Sequence, residues 1–216
     1  MISEVITSEI EQNGTHEIVA YAVDDLYENK QRFLGKPVIS WKGIEQKYSP
    51  NEYRVFVAVG YQGLNELRAK KCHEAKQKGY LLESCVPNKI NDSKTIKIGE
   101  NCFVMNDALL HPYVVLESNV FVWSGAIVGH HSLVRSNCWL TSGCQIAGGV
   151  KIGESCFIAN GAVIGNKIEI GAKCFIGANA LVTKSTESNG VFITKDSERY
   201  RLDTNQFMQL TKFDLR

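Results

Sequence analysis

An Ile, Leu or Val stands at every sixth position from Ile98 to Val182, fifteen times in succession. The column runs Ile98, Val104, Leu110, Leu116, Val122, Val128, Val134, Leu140, Ile146, Ile152, Ile158, Ile164, Ile170, Ile176 and Val182. A six-residue period fits neither an amphipathic helix, at about 3.6, nor a half-buried strand, at about 2. It signals a solenoid, in which a short unit stacks on copies of itself. A second column, two residues earlier, is compact: Cys102, Ala108, Val114, Val120, Ala126, Ser132, Cys138, Cys144, Val150, Cys156, Ala162, Ile168, Cys174 and Ala180. Gly often follows the aliphatic, as at Gly99, Gly129, Gly153, Gly165, Gly171 and Gly177.

These columns resemble the hexapeptide repeat of the left-handed parallel β-helix, in which three hexads make one triangular coil. The resemblance implies that the aliphatics point inward at every face and that the compact residues fill the corners. Residues three hexads apart then stack at about 4.8 Å per coil, and the fifteen hexads make about five coils. The left hand is what the resemblance implies; parallel crossovers in general are right-handed.

Residues 1–90 do not repeat. Ile2, Val5, Ile6 and Ile10 predict an amphipathic first helix. A strand is expected over 17–23, ending at Asp24 and Asp25, then a polar loop over 27–36 and a short apolar segment after Pro37. Ser40 is placed to cap a brief helix over 42–46. A strand over 54–59, a helix over 64–79 and a strand over 80–86 follow, with Gly60 after the first. This alternation predicts a small α/β domain, Rossmann-like but truncated. The expected organisation is that domain over 1–90, the solenoid over 91–185 and a capping tail over 186–216, since open solenoid ends expose strand edges.

Composition narrows the function. With 24 basic and 23 acidic residues the formal net charge is +1. No basic cluster with interleaved aromatics appears, so no nucleic-acid partner is expected. No apolar run reaches the roughly 18 residues of a membrane span, and the N-terminus lacks the basic and apolar regions of a signal peptide; a cytoplasmic protein is expected. Five of the seven cysteines fall in the compact column and read as packing groups. There is no C-x-x-C and no H-x₄-H, so no metal is expected.

A small α/β domain followed by unbroken hexads, with the segment SGAIVGHHSLV at 124–134, resembles the hexapeptide-repeat sugar acyltransferases, which include sialic acid O-acetyltransferases and bacillosamine-pathway N-acetyltransferases. The resemblance implies a catalytic His within a G-A-x-V-x-H-[DE] pattern, matched here at His130. His131 stands where the family carries an acid, and is the second catalytic candidate. The chemistry needs a base that is neutral near pH 7, which imidazole supplies, and an N–H aimed at the developing oxyanion. Gly148, three hexads after His130, matches the family glycine in that role. The resemblance places acetyl-CoA, as co-substrate, along Gly148, Ala178 and Lys184, in the groove between subunits of a homotrimer. Trp123 and Trp139 stand where relatives carry Asn and His near the cofactor.

For the acceptor, the resemblance points to Asp24, Asp25, Gly60 and Tyr61 as contacts to a nucleotide-linked sugar. The family's first strand and glycine loop have no counterpart in this sequence. The hexads admit no inserted acceptor loop, which favours a large acceptor. N-acetylation of a nucleotide-activated amino sugar for surface glycans is the leading expectation. Sugar O-acetylation and a non-catalytic solenoid scaffold are the alternatives.

Overall fold

The computed structural model describes residues 2–14, 16–24 and 31–211. Each aliphatic of the hexad column is the second residue of a two-residue strand, from Lys97–Ile98 (β4) to Leu181–Val182 (β18). Each strand pairs in parallel with its neighbours three hexads before and after: Leu133, for example, lies between Val115 and Lys151. Three parallel sheets result, the faces of a triangular prism. The first face carries Ile98, Leu116, Val134, Ile152 and Ile170; the second Val104, Val122, Leu140, Ile158 and Ile176; the third Leu110, Val128, Ile146, Ile164 and Val182. Five coils are therefore present, in the register expected.

The aliphatics and the compact column form one continuous core. Burying an aliphatic side chain is worth roughly 1.5–3 kcal/mol, so the column dominates the stability of the prism. The five cysteines in it are buried and unpaired. Several also close a corner: the thiols of Cys102, Cys138 and Cys156 donate to the carbonyls of Glu117, Gly153 and Gly171 at 3.0–3.1 Å. Burial pushes the Cys102 and Cys144 thiols up to about 12. The third residue after the aliphatic takes a positive φ at most corners, including Asn101, Asn119, Asn137 and Asn179. Asn tolerates the left-handed region better than most residues, which accounts for its recurrence there.

The N-terminal part opens with α1 (Ile2–Asn13), followed by β1 (Tyr21–Val23), β2 (Arg32–Phe33) and β3 (Lys36–Ser40). β1 runs parallel to β3, and β2 antiparallel to it. A 3₁₀ turn spans Ile44–Gln46, and the Ser40 hydroxyl accepts from the Lys42 N–H at 3.0 Å. Then come α2 (Glu66–Gln77) and α3 (Asn88–Asn91). The strands expected over 54–59 and 80–86 touch through one parallel bridge, Val55 to Leu82, and form no ladder. Their backbone groups are used elsewhere. The Val57 N–H donates to Asn101 Oδ1 at 2.7 Å, and Cys85 pairs in parallel with Phe103. Both segments peel apart to bond the first coil, so the α/β part is joined to the prism by main-chain hydrogen bonds.

A ladder of outward aromatics joins them further. Phe103, Phe121, Trp139, Phe157 and Phe175 each precede an aliphatic of the second face. Ile6 and Ile10 of α1 pack on that ladder. Beside it lies Arg68 of α2, fully buried. Its guanidinium donates to Asn119 Oδ1 (2.8 Å), Asn65 Oδ1 (3.0 Å) and the carbonyls of Gly60, Asn119 and Cys138 (3.2–3.4 Å). It also sits 4.3 Å from the Phe121 ring centroid. Asn119 is itself one rung of an amide ladder, accepting from Asn101 and donating to Asn137.

At the far end Val191–Phe192 (β19) adds a sixth strand to the second face. Beyond it, the Thr194 hydroxyl donates to the Ala178 carbonyl. The last helix, α4 (Thr204–Thr211), buries none of its residues.

Candidate active site

His130 lies at the corner between the third and first faces, two residues after Val128. Both it and His131 are exposed. The corner is a tight turn: His131 has φ 58°, and the His130 carbonyl accepts from the Gly149 N–H one coil on, at 2.8 Å. The two imidazoles meet edge to face, with His130 Nδ1 3.1 Å from His131 Nδ1. Among the described residues neither ring forms an ion pair with a carboxylate.

The other end of His130 reaches over Gly148. A methyl group on Gly148 would lie 2.6 Å from His130 Nε2 and 2.7 Å from Cε1. Only a residue without a side chain leaves the ring in this place. The Gly148 N–H donates to no group among the described residues, so the imidazole lies against a glycine whose backbone donor is free. That arrangement can accept a proton and stabilise negative charge on an acyl oxygen.

The strand register sets the other candidates. Gln145, Val163 and Leu181 stack, so His130, Gly148, Asn166 and Lys184 form one vertical column at this corner. Lys184 is exposed, two coils beyond Gly148, or about 10 Å at 4.8 Å per coil. Ala178 is not in this column. It lies at the corner between the second and third faces, exposed, with its carbonyl taken by Thr194.

The acceptor candidates lie elsewhere again. Tyr61, 53% exposed, rests on the second face, 5.4 Å from the Trp139 ring and 4.9 Å from Phe157. Gly60 is buried, its carbonyl accepting from Arg68. Asp24 is paired to Lys71 at 2.7 Å, and Asp25 lies outside the described residues. The second face is opposite the His130 corner, so one chain does not bring these residues to the imidazoles. Trp123 and Trp139 are also of the second face, under the N-terminal part, Trp123 edge-on to Phe103 and Trp139 stacked on Phe121. Within one chain they pack this joint and are remote from His130.

Two features escaped the sequence reading. Tyr113, three hexads before His131, stacks on its ring at 4.6 Å between centroids and 28° between planes. The aromatic ladder of the second face has a plain signal, an aromatic in every third hexad, which the six-residue column overshadowed.

Known proteins share this fold. The family described as bacterial transferase hexapeptide (six repeats) matches residues 131–166. The chain matches none of the curated proteins. Among solved structures it is similar to PerB from Caulobacter crescentus in complex with CoA and GDP-perosamine, at 25% identity and TM-score 0.76, over 88% of each chain. It is similar to the acetyltransferase domain of PglB from Neisseria gonorrhoeae FA1090 in complex with acetyl coenzyme A, at 24% identity and TM-score 0.77, over 88% of this chain and 90% of the other. WeeI from Acinetobacter baumannii AYE is similar at 21% identity and TM-score 0.63, over 88% and 90%. The fold is the left-handed β-helix of the hexapeptide-repeat sugar acyltransferases. As expected, a helix-and-sheet part precedes the solenoid.

Proposed function

We propose that the protein transfers the acetyl group of acetyl-CoA to the amino group of a nucleotide-linked sugar, with His130 as general base. One observation carries the reading: His130 Nε2 sits over Gly148, whose N–H has no other partner among the described residues. The similar structures agree in chemistry, since one was determined with acetyl coenzyme A and another with CoA and GDP-perosamine.

Acetyl-CoA supplies an acyl group activated as a thioester. His130 Nε2 takes the proton that leaves the amine as its nitrogen bonds to the acyl carbon. The Gly148 N–H donates to the acyl oxygen as charge builds there. As the C–S bond breaks, His130 returns the proton to sulfur, so an amide and a free thiol are the only products. Lys184, higher in the same column, provides a positive charge for a CoA phosphate.

The residues that hold the acceptor come from another copy of the chain. Gly60 and Tyr61 lie across the prism from His130, and the third face beside His130 exposes Leu109 (48%), Val163 (36%) and Leu181 (66%). A homotrimer, in which that face is covered and the Ala178 corner of one subunit meets the His130 corner of the next, completes the groove. Light scattering that finds only monomer at micromolar concentration would remove this part of the reading.

Thiol release from acetyl-CoA, measured with a panel of nucleotide-linked amino sugars, tests the activity. His130→Ala is expected to lower turnover roughly 10²–10⁴-fold and leave CoA binding by calorimetry intact. Wild-type turnover in His130→Ala would remove the base and the enzyme reading with it.

A further inference from the structure

We infer that His131, braced by the ring of Tyr113, is the positioning residue that fixes the proton and the orientation of His130, an imidazole taking the part that a carboxylate plays beside many catalytic histidines. The inference rests on the acetyltransferase reading above and concerns the same corner.

The two ring nitrogens of His130 have different surroundings. Nε2 lies over Gly148, where the acyl carbon is to be attacked. To accept a proton there it must carry its lone pair, so in the resting base the hydrogen is on Nδ1. An imidazole in water is free to hold its hydrogen on either nitrogen, and the partner of one decides the state of the other. Nδ1 of His130 has one partner among the described residues, Nδ1 of His131 at 3.1 Å. Two such nitrogens at hydrogen-bond distance share one hydrogen. With the hydrogen on His130, His131 accepts through Nδ1 and keeps its own on Nε2. When His130 Nε2 takes the amine proton, the same bond from Nδ1 becomes charge-assisted and strengthens, so the contact favours the state formed during transfer.

His131 can do this only if its own ring is held. It is exposed, and no carboxylate pairs with it among the described residues. Two features hold it instead. Its backbone is in the left-handed region at φ 58°, with its N–H donating to the Pro112 carbonyl at 3.2 Å. Its ring lies nearly flat on Tyr113, one coil below and also left-handed at φ 66°. Tyr113 is half exposed, and the described residues give its hydroxyl no hydrogen bond. Its contribution is therefore the ring face.

The test separates an acceptor role from a backbone role at the same position. His131→Gly suits the left-handed turn and removes the acceptor. His131→Asn also suits the turn, and its Oδ1 can accept from His130 Nδ1. We expect His131→Gly to lower kcat roughly 10–100-fold, with KM for acetyl-CoA and melting temperature close to wild type. His131→Asn is expected to regain most of that kcat. Tyr113→Ala is expected to lower kcat by a smaller factor, and Tyr113→Phe to restore it. Wild-type kcat in His131→Gly overturns the inference, as does a loss in His131→Asn equal to that in His131→Gly. If His130→Ala is inactive in those cases, the acetyltransferase reading stands without its positioning residue. Activity in His130→Ala removes both.

Discussion

Replacing Gly148 by Ala moves the base without touching it. The added methyl would stand 2.6 Å from His130 Nε2, 2.7 Å from Cε1 and 3.1 Å from Cδ2, where ordinary contact begins at 3.4 Å. The imidazole must withdraw by 3.4 − 2.6 = 0.8 Å. His130 is exposed, so its ring has room to swing, and the off-rotamer cost is about 0.5–1.5 kcal/mol. Gly148 is not among the positive-φ glycines, so Ala adds no backbone strain. The fold is expected to survive, with a small change in Tm. Catalysis should not, because a misplacement of about 1 Å costs on the order of 10²-fold, or about 2.7 kcal/mol in the barrier. The neighbouring Gly149→Ala behaves in the opposite way. Its φ is 70° and its methyl would meet Lys167, so it should lower Tm more than kcat. The assay is steady-state thiol release beside thermal melting for both variants. A Gly148→Ala enzyme with wild-type kcat would show that the ring position over Gly148 is irrelevant to transfer.

Arg68→Met should cost about 3–5 kcal/mol, since it strands the Asn65 side-chain oxygen and the carbonyls of Gly60 and Asn119; denaturant unfolding equal to wild type would refute that keystone role. Cys156→Phe should overpack the stacked corner by roughly 1–3 kcal/mol while Cys156→Ala stays mild, and equal melting temperatures for Cys156→Phe and wild type would contradict the register. Stability should fall as pH rises above about 9: burial raises Cys72 to about 11 and Cys85, Cys102 and Cys144 to about 12, from 9.0. The unfolded thiols release protons first in that window, so the native state binds more protons and the slope is negative. Arg68, lowered to about 10 by desolvation, and Cys156, lowered by its contact with Cys138, work against this, but the thiols that burial raises, Cys138 among them, outnumber them. Urea midpoints at pH 8 and 10 check the sign, and an unchanged or higher midpoint at pH 10 contradicts it.

The solenoid was legible because its physics is local and repeated. Each coil must send an aliphatic inward at each face, so the sequence carries the rule fifteen times. The His130–Gly148 contact was legible for the same reason, as residues three hexads apart are vertical neighbours. The N-terminal part was harder to read. Residues 54–59 and 80–86 have the composition of strands, yet Val57 bonds to Asn101 and Cys85 to Cys102 and Val104, partners that no local pattern announces. Arg68 sits in ELRAKKCHEAKQ, a helix so rich in charge that it reads as solvated throughout. Its burial follows from five acceptors, three of them contributed by the distant corners at Asn119 and Cys138. Tyr113 escaped because one exposed aromatic in a turn has no pattern to belong to; only the stack on His131 gives it a role.

Two messages of different wavelength are written over one another in this solenoid. The interior repeats with every hexad and treats all hexads alike. The exterior is read with every third, so that aromatics recur beneath the N-terminal part on one face while His130 and His131 stand once, at the opposite corner. Excising a single hexad would leave the interior in phase and turn everything above the cut by a third of a revolution. Such a chain would still find its core, but its upper aromatics would no longer lie beneath α1 and α2, and its upper corners would no longer follow His130. Excising three would lower the tower by one storey and leave its sides aligned. The whole coil is therefore the smallest unit by which a lineage can lengthen or shorten this protein while keeping what its surface says.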